Sequence, residues 1–187
     1  RSLSFSRGEK LAAYINSTLQ NTPLEKLRIP FCAVATDLQS GEEIAFARGD
    51  TGTAVRASCA IPGVFKPVRI GERFYVDGGI VSPVAVDLAK KMGADVVIAV
   101  DISSNVENAP PQGTVDSIIQ AVTIMYARMS QNQLTRADFV IQPRVGYIGS
   151  TDFTKRHEAV LEGEKAALEA MPGIRAVLER LKAEGRL

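Results

Sequence analysis

At 187 residues and 20.1 kDa the chain is long enough for one domain with a hydrophobic core, or at most two very small ones. Apolar residues make up 45%, charged residues 23% and aromatics 6%, with 15 Gly and 9 Pro, an ordinary globular composition that excludes extended disorder, collagen-like and coiled-coil architectures. Twenty-two basic residues against 21 acidic leave +1, which argues against a nucleic-acid surface or a polybasic membrane anchor.

The apolar run at residues 96–100 is five residues long, where a spanning helix needs ~20, so no transmembrane segment is expected and a soluble protein is. Cys32 and Cys59 fit no Cys-x-x-Cys pattern and read as reduced, buried and unreactive core thiols. Two cysteines and a single histidine make a zinc site improbable.

Residues 8–20 place Leu11, Tyr14, Ile15 and Leu19 at helical spacing. After Pro23 and Pro30, the apolar run 31–36 has the character of a strand buried on both faces. A turn at Gln39-Ser40-Gly41 leads to a second strand at 43–47, making a hairpin. Residues 53–60 suit a short helix stopped by Pro62-Gly63. A strand-like tetrad, 73–76, then runs into Asp77-Gly78-Gly79. Residues 84–92 are helical with an ending at Gly93, and 95–102 is the strongest strand in the chain.

The segment 105–113, with two prolines, reads as a surface loop. Thr114 opens a long helix with Ile118, Val122, Met125 and Met129 on one stripe, for which core packing is preferred over lining an acyl-binding cleft. Residues 138–142 suggest another strand, and 154–171 and 173–184 two helices broken at Pro172-Gly173. Strands and helices alternate after residue 70, and the strands are apolar throughout. That predicts a single α/β sandwich with a largely parallel sheet covered on both faces.

For chemistry, absence is informative first. The chain has no Gly-x-Ser-x-Gly, no Gly-x-Gly-x-x-Gly, no Walker loop and no His-Glu-x-x-His. His157, beside Lys155, Arg156 and Glu158, reads as a solvated helix-face residue. Asp37, Asp101 and Asp138 begin or follow strands, and turn or cap roles are preferred for them over a magnesium site. The loop 144–153, with Gly146 and Gly149, is a candidate border of a site. Asp77 is different: it ends a strand and enters a Gly-Gly turn, the place where open α/β sheets display functional side chains. The glycines after it remove nearby Cβ atoms, so backbone or substrate can approach the carboxylate. Taken alone, the pair also fits an ordinary Asp-Gly turn.

Several blocks follow one another in the chain: Pro30-Phe31, Ala35-Thr36-Asp37-Leu38 with Gly41, Arg56-Ala57-Ser58 through Pro62, Phe65 and Pro67, Val76-Asp77-Gly78-Gly79 with Pro83, and Gly93-Ala94-Asp95 with the strand to Asp101. In that order and spacing the chain resembles the C-terminal part of the patatin-like phospholipase family, most of all its bacterial members. The resemblance implies a three-layer α/β/α sandwich, with residues 1–187 the C-terminal portion of one domain. It implies a lipid acyl-ester hydrolase with a Ser-Asp dyad, no metal and no organic cofactor. Asp77 matches the family's catalytic aspartate, with Gly78 and Gly79 completing the motif.

The family's glycine-rich loop and Gly-x-Ser-x-Gly elbow both precede the stretch with which this chain begins, and neither is present here. Ser58 falls in a scaffolding block, and Ser82 and Ser150 lack the elbow's flanking glycines. The expectation is therefore a chain that carries the base and not the nucleophile, inactive by itself. It is either a fragment or a degenerate homologue that serves as a non-catalytic interaction module. The opening Arg1-Ser2-Leu3, without an initiator Met, favours the fragment. An isolated half of such a sandwich would expose a sheet edge and an apolar face, so a separate chain carrying the N-terminal part is an expected partner beside the lipid or acyl-ester substrate. The expected location is cytoplasmic, with a peripheral position at a membrane as the variant.

Overall fold

The computed structural model describes residues 3–103, 110–149 and 152–187, with side chains from residue 8 onward. These residues form two compact units, one made of residues up to 83 with 111–122, the other of 84–110 with 123–187.

In the first unit α1 (Leu3–Thr18) ends where Gln20 and Asn21 turn left-handed, φ 52° and 56°, and the Asn21 N–H closes back on the Asn16 carbonyl at 2.7 Å. A 3₁₀ turn, Leu24–Lys26, leads into β1 (Ala33–Asp37) and β2 (Glu43–Phe46). The pair is the expected hairpin, with Ala35 opposite Ile44. Next, α2 (Thr51–Ser58) starts two residues earlier than its apolar pattern suggests. Asp50 caps it, accepting from the Thr53 N–H at 2.7 Å, and Asn16 donates to the same carboxylate at 2.9 Å.

Two further strands, β3 (Val68–Ile70) and β4 (Arg73–Asp77), complete a sheet of order β2-β1-β4-β3. Its core gathers Ala35, Ala57, Ala60 and Val68 with Phe46, Phe65, Ile70 and Tyr75 packed around them. Phe46 and Tyr75 meet edge-on, with centroids 4.9 Å apart.

Every pairing in this sheet is antiparallel, which corrects the expectation of a largely parallel sheet. The physical reason lies in the connections. Five residues join β1 to β2 and two join β3 to β4, whereas a parallel crossover needs a dozen or more. Continuous burial of Ala35, Thr36 and Asp37 is real, but it marks a central strand rather than a parallel one. β3 escaped the sequence reading because three residues after Pro67 give too short a pattern. The alternation Val68-Arg69-Ile70 before Gly71 was its signal.

The second unit holds α3 (Val86–Lys91), β5 (Ile98–Val100), β6 (Phe139–Ile141) and α5 (Arg156–Ala183). Between β5 and β6 runs α4 (Thr114–Leu134), whose residues 123–134 belong to this unit. β5 and β6 pair in parallel, Ala99 opposite Val140, as the helical crossover requires. Val86, Val97 and Ala99 form the core with Val84, Ala89, Leu134, Ala137 and Val140. Arg136 grips Asp87 with two bonds of 2.7 Å, which holds the Asp87 carboxyl below its ordinary range.

Three expectations change in detail. Residues 156–183 are one continuous helix, not two. Pro172 cannot donate toward the Leu168 carbonyl, but Leu168 and Pro172 are both exposed, so water can take that carbonyl. Gly173 beside it lets the helix approach β6: a Cβ there would stand 2.7 Å from the Phe139 ring. β5 buries only Ala99, leaving Ile98, Val100 and the following Ile102 exposed. On the α4 stripe, Ile118 and Met125 are exposed too, so it is not a packed core stripe. Most of the predicted loop 105–113 lies outside the described residues. The fold is α/β, as expected.

Candidate functional site

Asp77 is the last residue of β4 and the cap of a 3₁₀ turn, Gly78–Ile80. Its carboxylate Oδ1 accepts from the Gly79 N–H at 2.7 Å, so the side chain is drawn over the turn that follows the strand. Its backbone is held on both sides. The Asp77 N–H donates to the Ala60 carbonyl at 3.0 Å, and its carbonyl accepts from the Thr36 hydroxyl at 2.9 Å. Opposite it in the ladder stands Ala35.

Gly78 is buried, and here glycine is a requirement of space. A Cβ would lie 2.3 Å from the Val34 carbonyl oxygen and 2.7 Å from its carbon, both backbone atoms of β1. The chain can therefore leave β4 and turn only across a residue without a side chain. The turn is closed by the Ser82 N–H, which donates to the Gly78 carbonyl at 2.8 Å. Asp77, Gly78 and Gly79 thus form one built element, whose parts are the sheet end, the close approach and the N–H that orients the carboxylate.

Cys59 follows α2 and lies close enough to Asp77 to feel its charge. It is exposed, contrary to the expected burial, yet loss of hydration, followed by the Asp77 charge, pushes its thiol pKa up. Cys32 is half-buried, and its thiol is raised by burial and then by Glu43. Both thiols are free rather than bonded to each other. The exposure of Cys59 follows from its position at the C-terminus of α2, where the buried neighbours are Ala57 and Ala60.

The other carboxylates hold turns and strand ends. Asp37, 5% exposed, accepts from the N–H groups of Gln39 and Ser40 and pairs with Arg73 at 3.5 Å. Asp138 accepts from the Val97 N–H at 2.9 Å, and Asp101 from Ser103 and Gln142. Among the described residues no three His, Cys, Asp or Glu side chains converge as a metal site would need. His157 is exposed in the first turn of α5, in the second unit, as a solvated helix-face residue would be. In the 144–153 loop, Tyr147 donates to Glu158 at 2.5 Å and lies under the Lys155 ammonium, which ties the loop to α5. The Glu158 bond leads the causes that push the Tyr147 pKa up to about 12. Ser82 is buried, and Ser150 lies outside the described residues.

Sequence reasoning found Asp77 and its glycines but missed Thr36 and Cys59 as neighbours. Thr36 sat inside the block Ala35-Thr36-Asp37, where a β-branched hydroxyl in the interior of an apolar strand was the available signal.

Comparison with known proteins gives the chain relatives. An NTE family protein of Mycobacterium tuberculosis is 38% identical over 99 residues, covering 53% of this chain and 28% of that protein. A second one from the same organism is 28% identical over 204 residues, covering 91% of this chain and 34% of that protein. A lysophospholipase, nte1, of Aspergillus oryzae is 27% identical over 157 residues, covering 82% of this chain and 10% of that protein. The chain spans about a third or less of the length of these relatives. No described helix is long and apolar enough to cross a membrane. The family model described as patatin-like phospholipase matches residues 1–90, so the stretch that contains Asp77, Gly78 and Gly79 is similar to patatin-like phospholipases.

Proposed function

We propose that residues 1–187 are the C-terminal portion of a patatin-like, three-layer hydrolase domain and supply the base of a Ser-Asp dyad. The observation that carries the reading is the Asp77 carboxylate, oriented by the Gly79 N–H at the end of β4 above a glycine that space does not allow to be replaced. The relatives named lysophospholipase support lipid esters as the substrate class. The nucleophile comes from outside this chain, since no Gly-x-Ser-x-Gly lies within it.

In this reading Asp77 accepts the proton of the serine hydroxyl as its oxygen attacks the ester carbonyl carbon. The tetrahedral species collapses, the alcohol leaves with the proton held by Asp77, and an acyl-serine remains. Water then repeats the attack, its proton taken by Asp77, to release the fatty acid and restore the hydroxyl. A carboxylate is a weak base in water, so the completed site must exclude solvent for the step to be fast. The exposed apolar residues Ile98, Val100 and Ile102 support a covering partner, which we assign to the N-terminal part of the domain. Two free thiols fit a reducing compartment, and we place the protein in the cytoplasm at the periphery of a membrane.

The test uses the full-length protein and a short-chain acyl ester. Asp77→Asn keeps the size and the bond from Gly79 but removes the base, and turnover falls by ~10²–10⁴-fold. His157→Ala leaves turnover within about twofold, because a dyad gives that histidine no proton to move. Loss in the histidine variant with retention in Asp77→Asn overturns the dyad. Full activity in both makes Asp77-Gly78-Gly79 a turn only and leaves the hydrolase reading without a catalytic residue in this chain.

A further inference from the structure

We propose that Thr36 is a positioning residue for Asp77, an inference that rests on the reading of Asp77 as base. Thr36, the fourth of the five residues of β1, is 3% exposed, and its hydroxyl donates to the Asp77 carbonyl oxygen at 2.9 Å. The residue it holds is the one at which β4 stops and the chain turns. Directly beyond, a Cβ on Gly78 would stand 2.3 Å from the Val34 carbonyl oxygen of the same strand β1. On the other side, the Asp77 N–H is held by Ala60, after α2.

Asp77 is thus fixed along the strand by a bond to β1 through Thr36 and by a bond to the α2 end through Ala60. Its carboxylate is then aimed by Gly79. The Thr36 hydroxyl on β1 anchors the peptide that links Asp77 to Gly78. If that bond is lost, this peptide loses one of its holds on β1, and the Gly79 N–H that orients the carboxylate shifts with the turn. A displacement of about 1 Å at a reacting group costs on the order of 10²-fold in rate.

Valine matches threonine in shape and lacks the hydroxyl, so Thr36→Val removes the bond without opening a cavity. Thr36→Ser restores the donor. In the full-length protein, with a short-chain acyl ester and rates normalised to folded molecules, Thr36→Val is expected to lower kcat by ~10–100-fold. KM should stay within about twofold, and Thr36→Ser should recover kcat to within about threefold. A merely structural threonine would lower the folded fraction and leave kcat per folded molecule unchanged. That result, or a serine variant as impaired as the valine, overturns the proposal.

If Thr36→Val does not fold, Thr36→Ala admits a water in place of the hydroxyl and is read the same way, with wild-type kcat per folded molecule counting against positioning. Asp77→Asn is measured beside them. Its retention of full activity removes the base assignment itself, whereas its loss together with a wild-type Thr36→Val removes the positioning role alone.

Discussion

Replacing Gly78 by alanine adds one methyl group at the point where β4 leaves the sheet. The new carbon would stand 2.3 Å from the Val34 carbonyl oxygen, where ordinary contact begins near 3.4 Å, so β1 and the turn must separate by about 1 Å. Both neighbours are backbone, and no side chain can swing aside. Overpacking of this kind costs about 1–3 kcal/mol. Separation at Val34 also stretches the bond from Thr36 to the Asp77 carbonyl, worth about 1 kcal/mol more. The expected total is about 2–4 kcal/mol, read as a urea midpoint lowered by on the order of 1 M for a slope of about 1–3 kcal/mol/M. Gly163→Ala is the control. A Cβ there meets nothing within 4 Å, and the site is inside α5, so alanine should stabilise by up to about 1 kcal/mol. If Gly78→Ala unfolds within about 0.5 kcal/mol of the parent chain, the close-approach explanation of the Asp-Gly-Gly element is wrong.

Asp50→Ala removes the cap of α2 and should cost about 1–2 kcal/mol at neutral pH in denaturant titration. The bond from the Thr53 hydroxyl leads the causes that hold the Asp50 carboxyl below its ordinary value. The cap's contribution is therefore full above the unfolded carboxyl pKa of about 4 and fades as pH falls through the lower folded value, so the difference between parent and variant should shrink on acidification. For Cys59, the raised thiol pKa predicts slow alkylation at pH 7 that accelerates above the ordinary thiol range. Asp77→Asn should accelerate that labelling, because it removes the negative charge that helps disfavour the thiolate. Rapid labelling at pH 7, indifferent to Asp77→Asn, would contradict the proximity of the two groups.

Local pattern carried much of this structure. The hairpin at Gln39-Ser40-Gly41, the helix ending at Gly93, where φ is 95°, and the Asp-Gly-Gly strand end were all legible, because turn chemistry is written in a few adjacent residues. Strand direction was not. Apolar continuity in residues 31–36 reports burial on two faces, and both parallel and central antiparallel strands satisfy it; only the short connections distinguish them. The break predicted at Pro172 failed because the loss of one donor matters less on an exposed helix face, and Ile174 and Leu181 anchor the helix beyond it.

The strand end at Asp77 was legible because close backbone approach demands glycine next to it. Its supports were less so. Thr36 is 41 residues away in sequence, and nothing local marks which hydroxyl a strand end will use.

The most direct test of the central claim is to map where a fluorophosphonate, which phosphonylates an activated serine, becomes attached. With Asp77 as the base of a dyad, the full-length protein takes up one equivalent on a serine outside residues 1–187. Residues 1–187 alone take up none, and Asp77→Asn abolishes the labelling while the protein remains folded. Stoichiometric attachment to a serine within residues 1–187, or labelling that survives Asp77→Asn undiminished, would contradict the assignment of Asp77 as the base of a dyad completed from outside this chain.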